Sequence, residues 1–386
     1  MLRILTILGA RPQIIKAAAL SRAIKNHFQN DIREIILHTG QHYDANMSQV
    51  FFDELGIPEP DFNLGIGSAS HAQQTAAMLS GIEDVLLKEK PDALVVYGDT
   101  NSTLAGALAA AKIHVPVIHI EAGLRSFNKS MPEEINRIAC DHVSTLLFSP
   151  TRTGYNNLLR EGSQDTENQS SNQCDIDHPR IYHCGDVMYD NSLFFSALAE
   201  DKSNILKKYA LEKGGFGLVT IHRDSNTDQP ERLSAILSAL NEIANENQLR
   251  LLVPLHPRTS KIIAQSRDNA VYAAFNRNEL ITVTEPVSFL DVIQLEKNAK
   301  IILTDSGGVQ KEAYFFEKPS VILRPETEWQ EILDQGVGIL ADADKTRIKS
   351  AFSKLTEMEN PNYPKIFGDG HAAEFICREM LKFIPH

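Results

Sequence analysis

Two strand ends in the first third of the chain each deliver a carboxylate. Leu94-Val95-Val96-Tyr97-Gly98-Asp99-Thr100 and Val115-Pro116-Val117-Ile118-His119-Ile120-Glu121-Ala122-Gly123 both begin as short apolar, β-branched runs and stop at an acid followed by a small residue or Gly. A third acidic group follows in Pro132-Glu133-Glu134-Ile135-Asn136-Arg137, where Pro and acids in a first turn are also a plain helix-start signal. Singly, each acid reads as a cap or a solvated charge. Gathered in one strand-helix-strand neighbourhood, with the Ala-rich helix Asn101 to Lys112 between the two strands, they read as a site able to do acid and base work. Ligands of such sheets sit outside the carboxyl ends of the strands, so Asp99 and Glu121 are expected to share one crevice.

A second set of residues suits an anion. Lys300 to Asp305 reads as a strand running into Ser306-Gly307-Gly308 and then a helix carrying Glu312. Two glycines and a hydroxyl at a strand-to-helix turn form an anion cradle from backbone amides, with simple capping as the plainer alternative. Glu312 lies nearly two turns into that helix, where a carboxylate can accept two hydrogen bonds from a ribose diol. Near the start, Leu8-Gly9-Ala10-Arg11-Pro12 closes the first strand, and Arg11 and Lys16 bring cations to a helix N-terminus. The spacing lacks the three glycines of the dinucleotide fingerprint, which argues against a nicotinamide cofactor bound by that route.

The elements that must position these groups alternate strand and helix. Buried-strand patterns at Ile4 to Ala10, Arg33 to His38, Leu94 to Tyr97, Val115 to Ile120 and Thr145 to Ser149 are separated by helical stretches, including a long one from about His71 to Lys90. The polar turn Gly40-Gln41-His42-Tyr43-Asp44 either caps a helix or lines the crevice. Residues 163–179, rich in Ser, Asn, Gln and Asp, break the pattern and read as a mobile surface insertion. After Arg180 to Cys184 and a helical stretch, the alternation restarts with Gly217 to Arg223, a strand ending at His222-Arg223, followed by Arg250 to Leu255 ending at His256-Pro257, and Leu280 to Thr284. The expected fold class is α/β, with two Rossmann-like domains facing across a cleft: residues 1–184 with the acids, residues 185–366 binding a nucleotide, and residues 367–386 as a final helix crossing back to the first domain. That arrangement suits a nucleoside diphosphate sugar, with phosphates on the amides around Ser306 and the sugar among the acids.

Composition narrows the partners. At 386 residues the chain is long enough for two domains, and its formal charge of −12, from 38 basic and 50 acidic residues, disfavours nucleic acid. No apolar stretch reaches bilayer-spanning length, and the apolar opening reads as a buried strand rather than a leader. The four cysteines, Cys140, Cys174, Cys184 and Cys377, are scattered without paired spacing, which indicates neither a zinc site nor a disulfide framework. A cytoplasmic enzyme without a metal is the expectation.

Taken together, Gly9-Ala10-Arg11-Pro12 with Lys16, Gly98-Asp99-Thr100, His119 to Arg125, Pro132 to Arg137, His222-Arg223, Thr304 to Gly308 with Glu312, and Lys318-Pro319 with Arg324 resemble the bacterial non-hydrolysing UDP-N-acetylglucosamine 2-epimerases. The resemblance implies the GT-B fold, a homodimer, and inversion at carbon-2 of a UDP-sugar without an added cofactor, by elimination of UDP to a glycal and re-addition. It also implies that Arg11, His222 and the Ser306-Gly307 amides stabilise the departing diphosphate. Asp99, Glu121 and Glu133 then move protons on the two sugar faces, which acid serves which face being left open, and Arg324 lies near the nucleotide. Arg125-Ser126-Phe127-Asn128-Lys129-Ser130-Met131 and Glu326-Thr327-Glu328-Trp329 are similar to a subgroup acting on UDP-2,3-diacetamido-2,3-dideoxyglucuronic acid for surface polysaccharide. Its extra carboxylate needs a cation, for which Arg125, Lys129 and Arg137 are the candidates. Where the family commonly has an acid and Asn after His222-Arg223, this chain has Asp224-Ser225-Asn226. The rivals are a hydrolysing enzyme of the same fold, a GT-B glycosyltransferase and a silent UDP-sugar-binding regulator.

Overall fold

A computed structural model describes residues 1–40, 58–165, 173–265 and 269–385, and it divides into two units. The polar turn from Gln41 to Asp44 and part of the 163–179 insertion lie outside the described residues. Unit 1 comprises Met1–Asn191 and Lys365–His386, and unit 2 comprises Ser192–Pro364. The chain passes from one to the other inside the helix Val187–Lys202.

Among the described residues, unit 1 holds a seven-stranded parallel sheet in the order β3-β2-β1-β4-β5-β6-β7. Its strands are β1 (Leu2–Leu8), β2 (Ile32–His38), β3 (Phe62–Asn63), β4 (Ala93–Tyr97), β5 (Val117–Ile120), β6 (Leu146–Ser149) and β7 (Arg180–His183). All five residues of β4 and all four of β5 are buried, the signature of strands covered on both faces. The helix Asn101–Lys112 lies close to the sheet because its buried face is Ala105, Gly106, Ala109 and their neighbours. A side chain at Gly106 would meet Ile7 and Val96 at 3.2 Å. The edge strand β3 has only two residues, too few to leave a periodic signal in sequence. The final helix, Ala372–Phe383, packs on Arg11–Ala23 within unit 1, and Asp190 accepts the Ala372 and Ala373 amides at its N-terminus.

Unit 2 repeats the plan with six parallel strands among its described residues, ordered β10-β9-β8-β11-β12-β13. These are β8 (Phe216–Thr220), β9 (Arg250–Pro254), β10 (Ile281–Thr284), β11 (Ile301–Thr304), β12 (Ser320–Ile322) and β13 (Gly338–Leu340). Non-consecutive neighbours mark where the winding reverses: β1 beside β4 in unit 1, and β8 beside β11 in unit 2. Loops leaving such a pair diverge, so the carboxyl ends of these four strands are where each unit can admit a ligand.

The end of β5 is held open by glycine. Gly123 adopts φ +80°, and a Cβ there would run into the Gly154 carbonyl of the helix Arg152–Arg160, whose Asn157 donates to the Gly123 carbonyl at 3.0 Å. Backbone strain and overpacking combine at that position. Gly123→Ala is expected to destabilise the protein by about 2–4 kcal/mol, seen as a lower urea midpoint for unit 1; an unchanged midpoint would show that the helix yields freely.

Candidate active site

In unit 1, the loop after β1 is fixed from within. Gln13 accepts the Gly9 and Ala10 amides at 2.9 and 3.1 Å and donates to the Tyr97 carbonyl and to Thr103, joining the end of β1 to the end of β4. Sequence reading passed over Gln13, since a glutamine in a helix carries no spacing signal. Arg11 starts the helix, and its side chain lies outside the described residues. Lys16, one turn further on, is nearly buried and pairs with Glu121 at 2.7 Å.

Glu121 sits at φ +75°, an uncommon conformation for a residue with a long side chain. The conformation is imposed by neighbours: the Glu121 and Ala122 amides both donate to the Phe148 carbonyl, and the Gly98 amide donates to Ile120. Asp99, at the end of β4, is paired with Arg137 and experiences the charges of Lys16, Glu121 and Glu133. The three acids therefore form one electrostatic group. Burial pushes the Asp99 carboxyl above the usual range, Lys16 and Arg137 pull it back, and the two glutamates add to the rise.

Glu133 is exposed in the first turn of the helix Pro132–Asp141, whereas its neighbour Glu134 is buried. Glu134 accepts the Ser126 and Phe127 amides and an Arg137 N–H, which together outweigh burial and hold its carboxyl below the ordinary range. It thus shapes the loop ahead of the helix. Asn136 reaches the Asp99 carbonyl at 2.8 Å.

Beneath the acids lies a buried ionic cluster. His119 places Nε2 2.8 Å from the Gly98 carbonyl and Nδ1 2.7 Å from Asp141. With an acceptor at each nitrogen, the ring donates twice and is an imidazolium. Burial works against that charge, but the Cys140 sulfur and the Asp141 carboxylate raise the ring well above its ordinary value. The second Asp141 oxygen accepts the Gly123 amide at 3.1 Å and pairs with Arg125 at 2.7 Å. Arg125 also donates to Glu161 through two nitrogens and to the Leu124 carbonyl, so its guanidinium is engaged inside the unit.

Unit 2 presents a different chemistry. Asp305, at the end of β11 and fully buried, accepts the His222 and Arg223 amides and the Asn226 side chain, each at 3.1 Å. It fixes the turn after β8 and leaves the His222 and Arg223 side chains exposed; Ser225 is exposed as well. Ser306 caps the helix Gly307–Phe315 through the Val309 amide, so the Gly307 and Gly308 amides belong to the first turn, which lacks intrahelical acceptors. Arg324, nearly buried after β12, pairs with Glu328 at 3.0 Å, and the Glu328 carboxylate occupies the space beside Gly307. Trp329 is packed inside the unit with Lys311 over its ring at 4.4 Å, so the Glu326 to Trp329 stretch is tied to the Ser306 helix. Among the described residues there is no His, Cys, Asp and Glu grouping able to hold a metal, and no helix is long and apolar enough to cross a membrane.

The two parallel sheets with their switch-point strand ends define a two-domain α/β protein of the GT-B type. A family model described as UDP-N-acetylglucosamine 2-epimerase matches residues 23–381. The UDP-2,3-diacetamido-2,3-dideoxy-D-glucuronate 2-epimerase of Pseudomonas aeruginosa is 47% identical over 382 residues, covering 99% of this chain and 100% of the relative. Among solved structures, the Methanocaldococcus jannaschii UDP-GlcNAc 2-epimerase in complex with UDP-GlcNAc and UDP aligns with a TM-score of 0.82 at 41% identity, covering 98% of this chain and 99% of that one. The Neisseria meningitidis enzyme bound to UDP-GlcNAc aligns at 0.80 and 29% identity, covering 99% and 100%. The chain belongs to the UDP-N-acetylglucosamine 2-epimerase family.

The His119 cluster predicts a pH dependence of stability. The unfolded imidazole titrates near 6.5, and the native one holds its proton to higher pH. The native state thus binds the extra proton, and its stabilisation is complete below 6.5 and lost as pH rises toward the native pKa. The stability gap between the wild type and His119→Gln should narrow above pH 6.5 by up to about 1.4 kcal/mol per pH unit, measured by urea unfolding across pH 6 to 9. A gap independent of pH would mean that the ring is neutral.

Proposed function

We propose that this protein inverts carbon-2 of a UDP-linked N-acetylated sugar by eliminating and re-adding UDP. The observation that carries this reading is the grouping of Asp99, Glu121 and Glu133 with Lys16 and Arg137 at the ends of β4 and β5. A sugar C–H is too weak an acid to lose its proton unaided, so departure of the diphosphate must accompany or precede that loss. As the carbon-1 to oxygen bond breaks, its electron pair leaves with UDP. The carbon-2 proton passes to a carboxylate, and the C–H pair becomes the ring double bond. Return of a proton to the other face of carbon-2 and of UDP to carbon-1 completes the inversion.

Asp99, made more basic than an ordinary aspartate by burial and the neighbouring glutamates, suits one proton transfer, and Glu121 or Glu133 the other. His222, the Ser306 to Gly308 turn and Arg324 receive the diphosphate, Arg11 contributes a further cation, and Glu312 accepts the ribose diol. The bound UDP of the Methanocaldococcus relative supports a UDP-sugar as ligand.

Within this class we favour a 2,3-diacetamido glucuronate sugar over N-acetylglucosamine. The Pseudomonas relative supports it, as does Lys129, which is exposed, has no ion pair among the described residues, and borders a hollow of about 600 Å³ with Arg125, Phe127 and Glu134. Arg125 and Arg137 are already engaged with protein carboxylates, so Lys129 is the cation left to read the sugar's acid group. The reading includes a cytoplasmic homodimer that supplies precursors of a surface polysaccharide.

Asp99→Asn, Glu121→Gln and Glu133→Gln should each lower kcat by about 100-fold or more while UDP still binds, as checked by coupled turnover and calorimetry. In deuterated water the epimerised product should carry deuterium at carbon-2; retained protium would sink the elimination route. Stoichiometric accumulation of free UDP would instead indicate the hydrolysing reaction. Turnover of UDP-N-acetylglucosamine alone, when both UDP-sugars are offered, would reject the glucuronate assignment.

A further inference from the structure

The helix Phe289–Asn298 of unit 2 buries an acid that the reaction above does not use. Glu296 is completely shut off from solvent, and among the described residues no amide, hydroxyl or cationic donor reaches either of its oxygens. Its polar neighbour is the carboxyl of Glu312, on the adjoining helix that begins at Ser306. Ionised carboxylates have acceptor lone pairs only, so two carboxyls side by side, one of them shut off from water and without any other donor, call for a proton between them.

Their surroundings decide which acid carries it. Full burial, with the Glu312 charge alongside, drives the Glu296 carboxyl well above the usual range. Glu312 keeps partial access to solvent. Other charges nearby are occupied: Lys297 pairs with Glu200, Asp291 accepts from Ser203, and Lys311 lies over Trp329. Gln294 and Asn298, on the same helix, bond to each other. None of them supplies Glu296 with a counter-charge.

We infer that Glu296 is a positioning residue for the nucleotide: its O–H donates to Glu312 and fixes the plane of that carboxylate, leaving the remaining lone pairs to accept two hydroxyls of a vicinal diol. The inference rests on the reading of Glu312 as the group that takes the ribose. Chemically, it makes an acid pair into one negative charge with a set orientation. A lone exposed glutamate would have to lose rotamer freedom on binding.

The test is calorimetric binding of UDP and of 2′,3′-dideoxy-UDP to the full-length protein and its variants. Glu296→Met removes the donor while keeping the bulk, and should weaken UDP about tenfold while leaving 2′,3′-dideoxy-UDP unchanged. Glu296→Gln retains an N–H donor at the same place and should restore UDP binding to near the wild-type value. Loss of affinity for both nucleotides in Glu296→Met would show a merely structural role, and unchanged UDP binding would show none; either overturns the inference. Equal damage from Glu296→Gln would overturn the assignment of the donor. Glu312→Gln serves as the control: if it, too, fails to discriminate between the nucleotides, the premise that Glu312 reads the ribose is what falls, and the pairing role falls with it.

Discussion

A protonated histidine with no access to water holds the acidic strand ends of unit 1 in place. His119 lies on β5 and donates across to the carbonyl of Gly98, one residue before Asp99. Through Asp141 the same ring is tied to the Gly123 amide, two residues after Glu121. A single charged ring thus fixes the spacing between the two loops that carry carboxylates. Buried ion pairs often contribute little net stability, because desolvation offsets their attraction. The value of this one is geometric: without the imidazolium, the Gly98 carbonyl and one Asp141 oxygen would each lose a donor inside the protein, and the loops would rearrange to find another.

The same cluster explains why Arg125 was readable as a substrate cation and is found engaged elsewhere. Its place just after a strand-end acid put it in the right neighbourhood. Its partners, Asp141 and Glu161, lie 16 and 36 residues further along, and only folding brings them to the guanidinium. Lys16 is a parallel case: its helix-start position suggested an anion ligand, and the fold supplies Glu121, 105 residues distant in sequence. Side-chain type and strand-end position are local properties, and they located Asp99, Glu121 and Ser306 correctly at carboxyl ends of parallel strands. Ion-pair partners are non-local properties. Asp305 falls between these cases, since a buried acid before Ser306 was visible as a letter, while its service to the His222 and Arg223 amides depends on β8 lying beside β11.

The two units use one architecture for opposite electrostatic ends. In unit 1 the strand ends deliver negative side chains, partly balanced by Lys16 and Arg137, and burial raises the Asp99 carboxyl above the usual range. In unit 2 the strand-end acid is turned inward. Asp305 spends its charge on backbone amides, and what remains outward is a helix N-terminus, His222 and Arg223. A chain with a formal charge of −12 has no general attraction for phosphates, so any diphosphate site must be built locally in this way.

This separation also accounts for the conformation of Glu121. In the proton transfer proposed for it, the Glu121 carboxylate must stay within reach of the sugar while its strand neighbours stay paired. The chain meets both demands by turning sharply at the residue itself, at φ +75°, and continuing through Ala122 and Gly123. A glycine would relieve the backbone but could not carry the acid. Two amides on the Phe148 carbonyl, the Lys16 ammonium and the His119 cluster beneath therefore hold a glutamate where the backbone would prefer a glycine. Unstrained alternatives are open to the loop only if these contacts are given up together. The strain is consequently a property of the whole end of the sheet rather than of one residue, and it ties the placement of the acid to the integrity of the fold.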